Sequence, residues 1–146
     1  MHPGAIPTFG EPAERYRERR GAYGVAFERA SVLLVRWRGG LHLPGGGLHD
    51  GEEPRAALER ELVEEAGLRV VAADPLCRAN AFHRLADGSV VLKAGTFFIV
   101  TVEPTGAGPA DGTHEPVWVP VAEAFRAVID DAGAYAIGQG WRHAQG

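Results

Sequence analysis

The sequence has a single cysteine and no apolar run long enough to cross a membrane. Because Cys77 is the only thiol, an intramolecular disulfide is excluded, and we interpret this residue as structural. The first twenty residues lack the apolar segment of a secretory signal, and their glutamates argue against a transit peptide. We therefore expect a cytoplasmic protein with no membrane partner.

An excess of positive charge is also missing. Fifteen Lys and Arg stand against nineteen Asp and Glu, which gives a net charge of −4. Nucleic-acid backbones require clustered positive charge, so this balance argues against a general nucleic-acid-binding surface. The 146 residues, 45% of them apolar, suffice for one domain with its own core.

The most informative stretch combines a glycine-rich turn, an acidic loop and a predicted helix. The turn is formed by residues 44–47 (PGGG) and the loop by residues 50–53 (DGEE). Pro54 then opens a helix over residues 55–66, and Gly67 ends it. Proline at the first helical position and glycine after the last turn are typical helix boundaries.

Three carboxylates share one face of this predicted helix. Glu61, Glu64 and Glu65 stand at positions i, i+3 and i+4. Like charges at i and i+4 cost roughly 0.2–0.5 kcal/mol in an isolated helix. A hard divalent cation would neutralise them, because Mg²⁺ and Mn²⁺ prefer carboxylate and water oxygens. The alternative is a solvated acidic face with no bound metal.

The spacing of the stretch decides between these interpretations. Gly46, five residues, Glu52, seven residues and then residues 60–68 (RELVEEAGL) resemble the signature box of the Nudix hydrolases. Every fixed position of that box is filled. The resemblance covers 23 residues and implies the Nudix fold, a nucleotide-type small-molecule substrate and a divalent metal, Mg²⁺ with Mn²⁺ as a substitute.

The same resemblance assigns the metal site. It implies that Glu61 and Glu65 are metal ligands and that Glu64 is either a further ligand or the base that activates water. The carbonyl of Gly45 or Gly46 is expected to complete the ligand set, since a glycine turn lets backbone groups approach closely. Metal binding would also lower the pKa of bound water.

Other members of the predicted site support or extend this set. Arg60 is expected to orient the loop or a neighbouring carboxylate through its forked guanidinium. Glu52 is expected to be a structural partner of the loop, with a solvated acid as the alternative. Because relatives often supply a further carboxylate from downstream, Glu115 is the first candidate for an added metal ligand, followed by Asp111 and Glu103. The alternative for each is a surface acid.

Substrate-binding residues are less strongly indicated. His42 and His49 flank the glycine turn and are placed to touch phosphate, although surface histidines are common. Trp37, Phe82 and Tyr23 are candidates to stack on a nucleobase, whereas aromatic residues on strands more often belong to the core. We select Trp37, His42 and Phe82 as substrate-binding candidates.

The rest of the chain reads as a mixed α/β domain. A long loop covers residues 104–113, a second helix covers residues 121–131 and ends before Gly133, and the tail to residue 146 packs back on the domain. Two helices flanking a mixed sheet predict an α/β/α sandwich, the Nudix fold. The predicted strands are residues 22–28, 31–38, 41–43, 68–71, 76–84, 90–102 and 115–119.

We divide the chain into a leader, residues 1–20, and one Nudix domain, residues 21–146. The leader contains several prolines, including Pro3, and several arginines follow these prolines. It is expected either to be a solvated, partly disordered segment or to form an arm at a phosphate site or a homodimer contact.

The implied activity is hydrolysis of a pyrophosphate bond in a nucleoside diphosphate linked to another moiety. That moiety is a nucleotide, a sugar or the remainder of a modified nucleoside triphosphate. Residues 81–84 (AFHR) carry neither of two markers that define Nudix subfamilies, so the sequence leaves the substrate open. The alternative function is a non-catalytic Nudix-fold sensor of a nucleotide-like ligand, although a sensor has no need for the complete carboxylate set found here.

Overall fold

The computed structural model describes residues 5–146, which contain nine strands and three helices. The helices are α1 (Pro54–Ala66), α2 (Val121–Ala127) and α3 (Asp131–Gln145). The strands are β1 (Thr8–Phe9), β2 (Arg17–Val25), β3 (Phe27–Glu28), β4 (Ser31–Trp37), β5 (Gly40–His42), β6 (Gly45–Gly47), β7 (Leu68–Arg84), β8 (Val90–Pro104) and β9 (Glu115–Pro120).

The strands form two sheets. The larger has the order β1-β7-β8-β2-β6 and is mixed, because β1 runs parallel to β7 and β8 parallel to β2, whereas the other neighbours are antiparallel. In the smaller sheet β4 pairs antiparallel with β3, β5 and β9. Helices lie on both sides of the strands, so the predicted mixed α/β sandwich is confirmed.

Helix α1 begins and ends at the predicted residues. Pro54 is its first residue, and Gly67 closes it in the left-handed conformation, with φ +66°, which favours glycine. Leu58 and Leu62 are fully buried on its inner face. Ala56 and Val63 lie on its solvent side, since Ala56 is exposed and Val63 is 40% exposed.

Helices α2 and α3 lie on the side of the strands opposite α1. The prediction of one helix over residues 121–131 is wrong. The helix stops before Val128, whose extended backbone lies beside Leu41. Asp130 then caps α3 by accepting the N–H of Gly133. Gly133 therefore lies inside α3 and does not end a helix. The glycines of the tail permit close packing, since a Cβ at Gly140 would lie 3.1 Å from Val25.

Part of the predicted leader, residues 1–20, belongs to the larger sheet. Residues 1–4, which include Pro3, lie outside the described residues. Thr8–Phe9 pairs with the residues around Asn80, and β2 begins at Arg17, five residues before the predicted start. The arginine-rich part of the leader thus belongs to the sheet.

Strand β7 is continuous where the sequence predicted a break at Asp74 and Pro75. The chain passes this point through an irregularity in the pairing with β8, between Pro75 and Cys77. The loop over residues 105–114 joins β8 to β9, close to the predicted position. None of the described helices is both long enough and apolar enough to span a membrane.

Candidate active site

The site forms around β6, the edge strand made of three glycines. Gly21 in β2 lies opposite Gly47, and Tyr23 lies opposite Gly45. A Cβ at Gly46 would lie only 2.9 Å from the carboxylate carbon of Glu61. Because this edge carries no side chains, carboxylates from α1 reach past it toward the opposite face of the sheet.

Glu65 is the most buried of the acids on α1, with 13% of its side chain exposed. Its Oε1 accepts a 2.9 Å hydrogen bond from the N–H of Gly45. The pKa of Glu65 is raised to about 8, chiefly by burial and also by the nearby charges of Glu61, Asp111 and Glu64, against the lowering effect of the Gly45 bond. The charged form of Glu65 is therefore disfavoured at this site.

Arg60 connects the acidic loop to the helix. It donates to both oxygens of Glu52, at 3.0 and 2.9 Å, and to Glu61 at 2.7 Å. A further bond of 3.1 Å reaches the carbonyl of Gly47. The bonds from Arg60 lower the pKa of Glu52 to about 2, and those acids in turn hold the pKa of Arg60 above its usual value. Arg60 thus joins Glu52 in the acidic loop to Glu61 in α1 and to the carbonyl of Gly47.

His114 was not recognised from the sequence. Its Nε2 lies 3.4 Å from Glu65, and its Nδ1 lies 2.9 Å from Asp111. The ring also lies parallel to Trp37, with 5.3 Å between centroids and 4° between planes. The loop that carries His114 is fixed to α1, because the N–H of Asp111 donates to the carbonyl of Glu64 at 2.9 Å. No periodicity or spacing in the sequence signals this contact.

Glu115, the first candidate for an added ligand, lies elsewhere. Its carboxylate is 3.5 Å from Arg36 and 68% exposed, because Glu115 pairs with Arg36 across β9 and β4. Glu103 forms an ion pair with Arg69. Asp111, the second candidate, is the acid that the structure brings near Glu65. Its own pKa is lowered by hydrogen bonds from Thr113.

A cavity of about 600 Å³ adjoins this edge. Glu61 and Glu65 line one side of it, whereas Glu64 is 48% exposed and lies 3.8 Å from Arg60. The predicted substrate-binding residues Trp37, His42 and Phe82 all line the cavity. Further lining residues include Phe9, Arg19, Tyr23, Lys93, Phe97, His114, Asp130 and Asp131.

Two partly buried groups at the cavity have shifted pKa values. Burial raises the pKa of Tyr23 to about 12, and its ring is stacked on Phe97 with 5.3 Å between centroids. Burial lowers the pKa of His42. Burial thus favours the uncharged form of both groups.

The donor chemistry of the site fits a hard divalent cation. Glu61 and Glu65 line the cavity and offer only oxygen donors, which hard divalent cations prefer. In the described part of the chain, no three His, Cys, Asp or Glu side chains are gathered closely enough to hold one ion.

Comparisons with known proteins agree with this geometry. Residues 17–136 match the family described as the NUDIX domain. A Nudix hydrolase from Nitrosomonas europaea is 20% identical, with a TM-score of 0.68 over 88% of this chain and 90% of that one.

Two MutT structures give similar results. A mutator MutT protein from Bacillus halodurans is 20% identical, with a TM-score of 0.65 over 82% of this chain and 80% of its own. A MutT Nudix hydrolase from Burkholderia pseudomallei is 21% identical, with a TM-score of 0.57 over 84% and 98%. At these identities the likeness shows a shared fold.

Proposed function

Because this chain belongs to the Nudix family, we propose that it is a metal-dependent hydrolase of phosphoric anhydrides. Its substrate would be a nucleoside diphosphate linked to a nucleotide or sugar, or a modified nucleoside triphosphate. The observation that carries this proposal is that Glu61 and Glu65 line the same 600 Å³ cavity as Trp37. Carboxylates that would bind a cation and an aromatic ring that would stack on a nucleobase thereby lie in the same cavity.

The cation would be Mg²⁺, with Mn²⁺ as a substitute, because all the donors are oxygens. Glu61, Glu64, Glu65 and the carbonyl of Gly46 would hold it. When bound, such a cation neutralises charge on the phosphates and makes bound water more acidic. Glu65 contributes most to the need for a cation, since it is the most buried acid of this set.

The chain's own residues hold the acids in place. Arg60 fixes Glu61 through a 2.7 Å bond, while Gly45 and His114 hold the two oxygens of Glu65. Glu65 lines the cavity, so it is better placed than the exposed Glu64 to accept a proton from water above the substrate. The sequence left open whether Glu64 is a further ligand or the base, and this proposal gives the role of base to Glu65.

Aromatic groups would bind the organic part of the substrate. Trp37 and His114 form a parallel pair at one wall of the cavity, and the guanidinium of Arg38 lies 4.4 Å from the Trp37 ring. Since His114 and the Arg38 guanidinium both lie against the Trp37 ring, a nucleobase would stack on Trp37 in place of Arg38. His42 and Phe82 lie on the same cavity and would limit its width.

Activity is tested with a panel of modified nucleoside triphosphates, nucleoside diphosphate sugars and dinucleoside polyphosphates, in Mg²⁺, with phosphate or product detection. We expect turnover of at least one class, its abolition by chelation, and its recovery on adding Mg²⁺ or Mn²⁺. The Glu123→Gln variant, changed on the exposed face of α2, serves as the control and should retain activity. Saturable binding of a nucleotide with no turnover would support the sensor alternative.

We further propose that the protein acts in the cytoplasm on small molecules, without a nucleic-acid or membrane partner, and that it forms a homodimer. The net charge of −4 argues against a nucleic-acid partner, and a cavity of about 600 Å³ is of the size that binds a small molecule. Light scattering during gel filtration measures the oligomeric state directly. A mass of 15.6 kDa for the eluted species would rule out the homodimer.

A further inference from the structure

Two cations face each other on the floor of the cavity. Arg19 in β2 is the register partner of Lys93 in β8, and parallel partners direct their side chains to the same face of a sheet. Both residues line the cavity. The next pair on that face is Gly21 and Gly95, and the rings of Tyr23 and Phe97 lie over them, since a Cβ at either glycine would meet one of these rings at 2.7 Å.

This arrangement is unfavourable without a ligand. Neighbouring strands lie about 4.8 Å apart, and like charges directly opposite each other destabilise a sheet. Within residues 5–146, neither Arg19 nor Lys93 forms an ion pair or a side-chain hydrogen bond. Other arginines of the protein do have acidic partners, namely Arg36, Arg55, Arg60 and Arg69.

Four of the described residues that line the cavity are acids, namely Glu61, Glu65, Asp130 and Asp131. The carboxylate of Asp130 accepts the N–H of Gly133 at the start of α3, Glu61 is hydrogen-bonded to Arg60, and Glu65 is hydrogen-bonded to Gly45. Within residues 5–146, none of the four forms an ion pair with Arg19 or Lys93, so both cations are open to a ligand.

Their position relative to the acids defines what they could bind. The guanidinium of Arg19 leans over β6, with Nη2 lying 2.9 Å from where a Cβ of Gly47 would be. Gly46, the adjacent residue of β6, is the glycine that Glu61 approaches. Lys93 lies one strand further from this edge. A polyanionic ligand that reaches the acids through a cation would therefore extend over Arg19 toward Lys93.

We propose that Arg19 and Lys93 form a binding subsite for a phosphate group other than the diphosphate that is cut. This inference rests on the proposed function, because the acids of α1 mark the point of cleavage. The group would be either the third phosphate of a nucleoside triphosphate or a phosphate ester on a ribose. Both carry the charge and the oxygen acceptors that match a guanidinium beside an ammonium.

Lys93 is the single lysine of the sequence, so amine modification reports on this subsite directly. Metal-free protein is treated with an acetylating reagent at increasing concentrations of inorganic tripolyphosphate, and the Lys93 peptide is quantified by mass spectrometry. We expect saturable protection of Lys93. In Arg19→Gln the half-protecting concentration should rise about tenfold, a loss typical of one charge-assisted hydrogen bond.

Arg78→Gln is the matched control for this experiment. Arg78 is an exposed arginine of β7 that does not line the cavity, and it carries the same charge as Arg19. It should leave the protection curve unchanged. Modification of Lys93 at a rate independent of tripolyphosphate, or an equal effect of Arg78→Gln, would overturn the subsite. The measurement requires no turnover, so its outcome is separate from that of the proposed hydrolase activity.

Substrate selection distinguishes the two sources of phosphate. The ratio of kcat/KM is measured for ATP over ADP and for NADPH over NADH, in the wild type and in Lys93→Met. If the subsite takes the third phosphate, Lys93→Met lowers the first ratio about tenfold and leaves the second unchanged. If it takes a ribose phosphate, only the second ratio falls. Equal losses for both members of each pair would contradict the proposed selectivity.

Discussion

The N–H of Gly45 donates a 2.9 Å hydrogen bond to Glu65, and this bond joins the glycine edge strand to helix α1. It favours the charged carboxylate, whereas burial disfavours that form more strongly. The balance leaves the pKa of Glu65 near 8. Without a cation, the acid at the centre of the site is therefore mostly protonated at neutral pH.

This balance predicts how stability changes with pH. The pKa of Glu65 is about 8 in the folded protein, compared with an ordinary value of 4.5, so the folded state binds the proton more tightly than the unfolded state. A raised carboxyl pKa reduces stability as the pH rises from about 4.5 to about 8. We expect Glu65→Gln to remove this loss, so that its melting temperature exceeds that of the metal-free wild type most at high pH.

Calorimetry of both proteins in chelator from pH 5 to 9 measures the difference. Glu123→Gln, an exposed change on α2, should follow the wild type at every pH. The same Glu65→Gln variant should lower kcat by roughly 10²–10⁴-fold, the contribution of a general acid or base. A parallel pH profile for the wild type and Glu65→Gln would show that burial does not raise the pKa of this acid.

Arg60 should resist replacement even by lysine. Lysine cannot reproduce the fork that reaches Glu52, Glu61 and the Gly47 carbonyl together. We expect Arg60→Lys to lower kcat about 10–100-fold, because small displacements of reacting groups are costly. The pKa of Glu52, now about 2, should rise toward 4.5 and be visible by NMR titration.

Arg55→Lys provides the control for Arg60 on the same helix. Arg55 forms an exposed i, i+4 pair with Glu59, and such pairs contribute only about 0.3–0.5 kcal/mol. Its kcat should match that of the wild type. If Arg60→Lys behaved in the same way, Arg60 would have no orienting role in the site.

Trp37 should affect substrate binding more than chemistry. Loss of one base–aromatic stack weakens binding by about 1–3 kcal/mol, so Trp37→Ala should raise KM about tenfold or more. The kcat should change less than threefold, because the ring touches His114 and not the acids of α1. Trp118→Ala, at an exposed tryptophan outside the cavity, is the control. A fall in kcat at constant KM would instead assign Trp37 to the positioning of His114.

Gly46 should tolerate no side chain. Its φ is not positive, so alanine strains no backbone there, but the added Cβ would lie 2.9 Å from the carboxylate carbon of Glu61. We expect Gly46→Ala to lower kcat at least tenfold while the protein stays folded by circular dichroism. Gly138→Ala in α3 meets only Phe125 at 3.5 Å and should stabilise the helix by about 0.5–1 kcal/mol without changing kcat. Full activity of Gly46→Ala would place Glu61 outside the reaction.

Local sequence signals predicted the parts of the fold that depend only on residues adjacent in the sequence. Pro54 and Gly67 set the ends of α1 through fixed φ and a left-handed cap. The turn between β4 and β5 is formed by Arg38 and Gly39, with φ of +49° and +77°. The second helix was mispredicted because Gly133 was taken as a stop. In the structure, the side chain of Asp130 caps α3 at that glycine, which lies within the first turn.

A helix places positions i, i+3 and i+4 on one face whatever surrounds it, so the shared face of Glu61, Glu64 and Glu65 follows from local spacing alone. Which acids enter the cavity, and which residues they contact there, depends on tertiary packing. Glu115 lies on a strand, where alternation directs it to Arg36, whereas His114, the adjacent residue, meets Glu65. Arg19 and Lys93 are 74 positions apart and become neighbours only through the register of β2 and β8. Contacts of this kind depend on how distant segments pair, and local periodicity carries no information about that pairing.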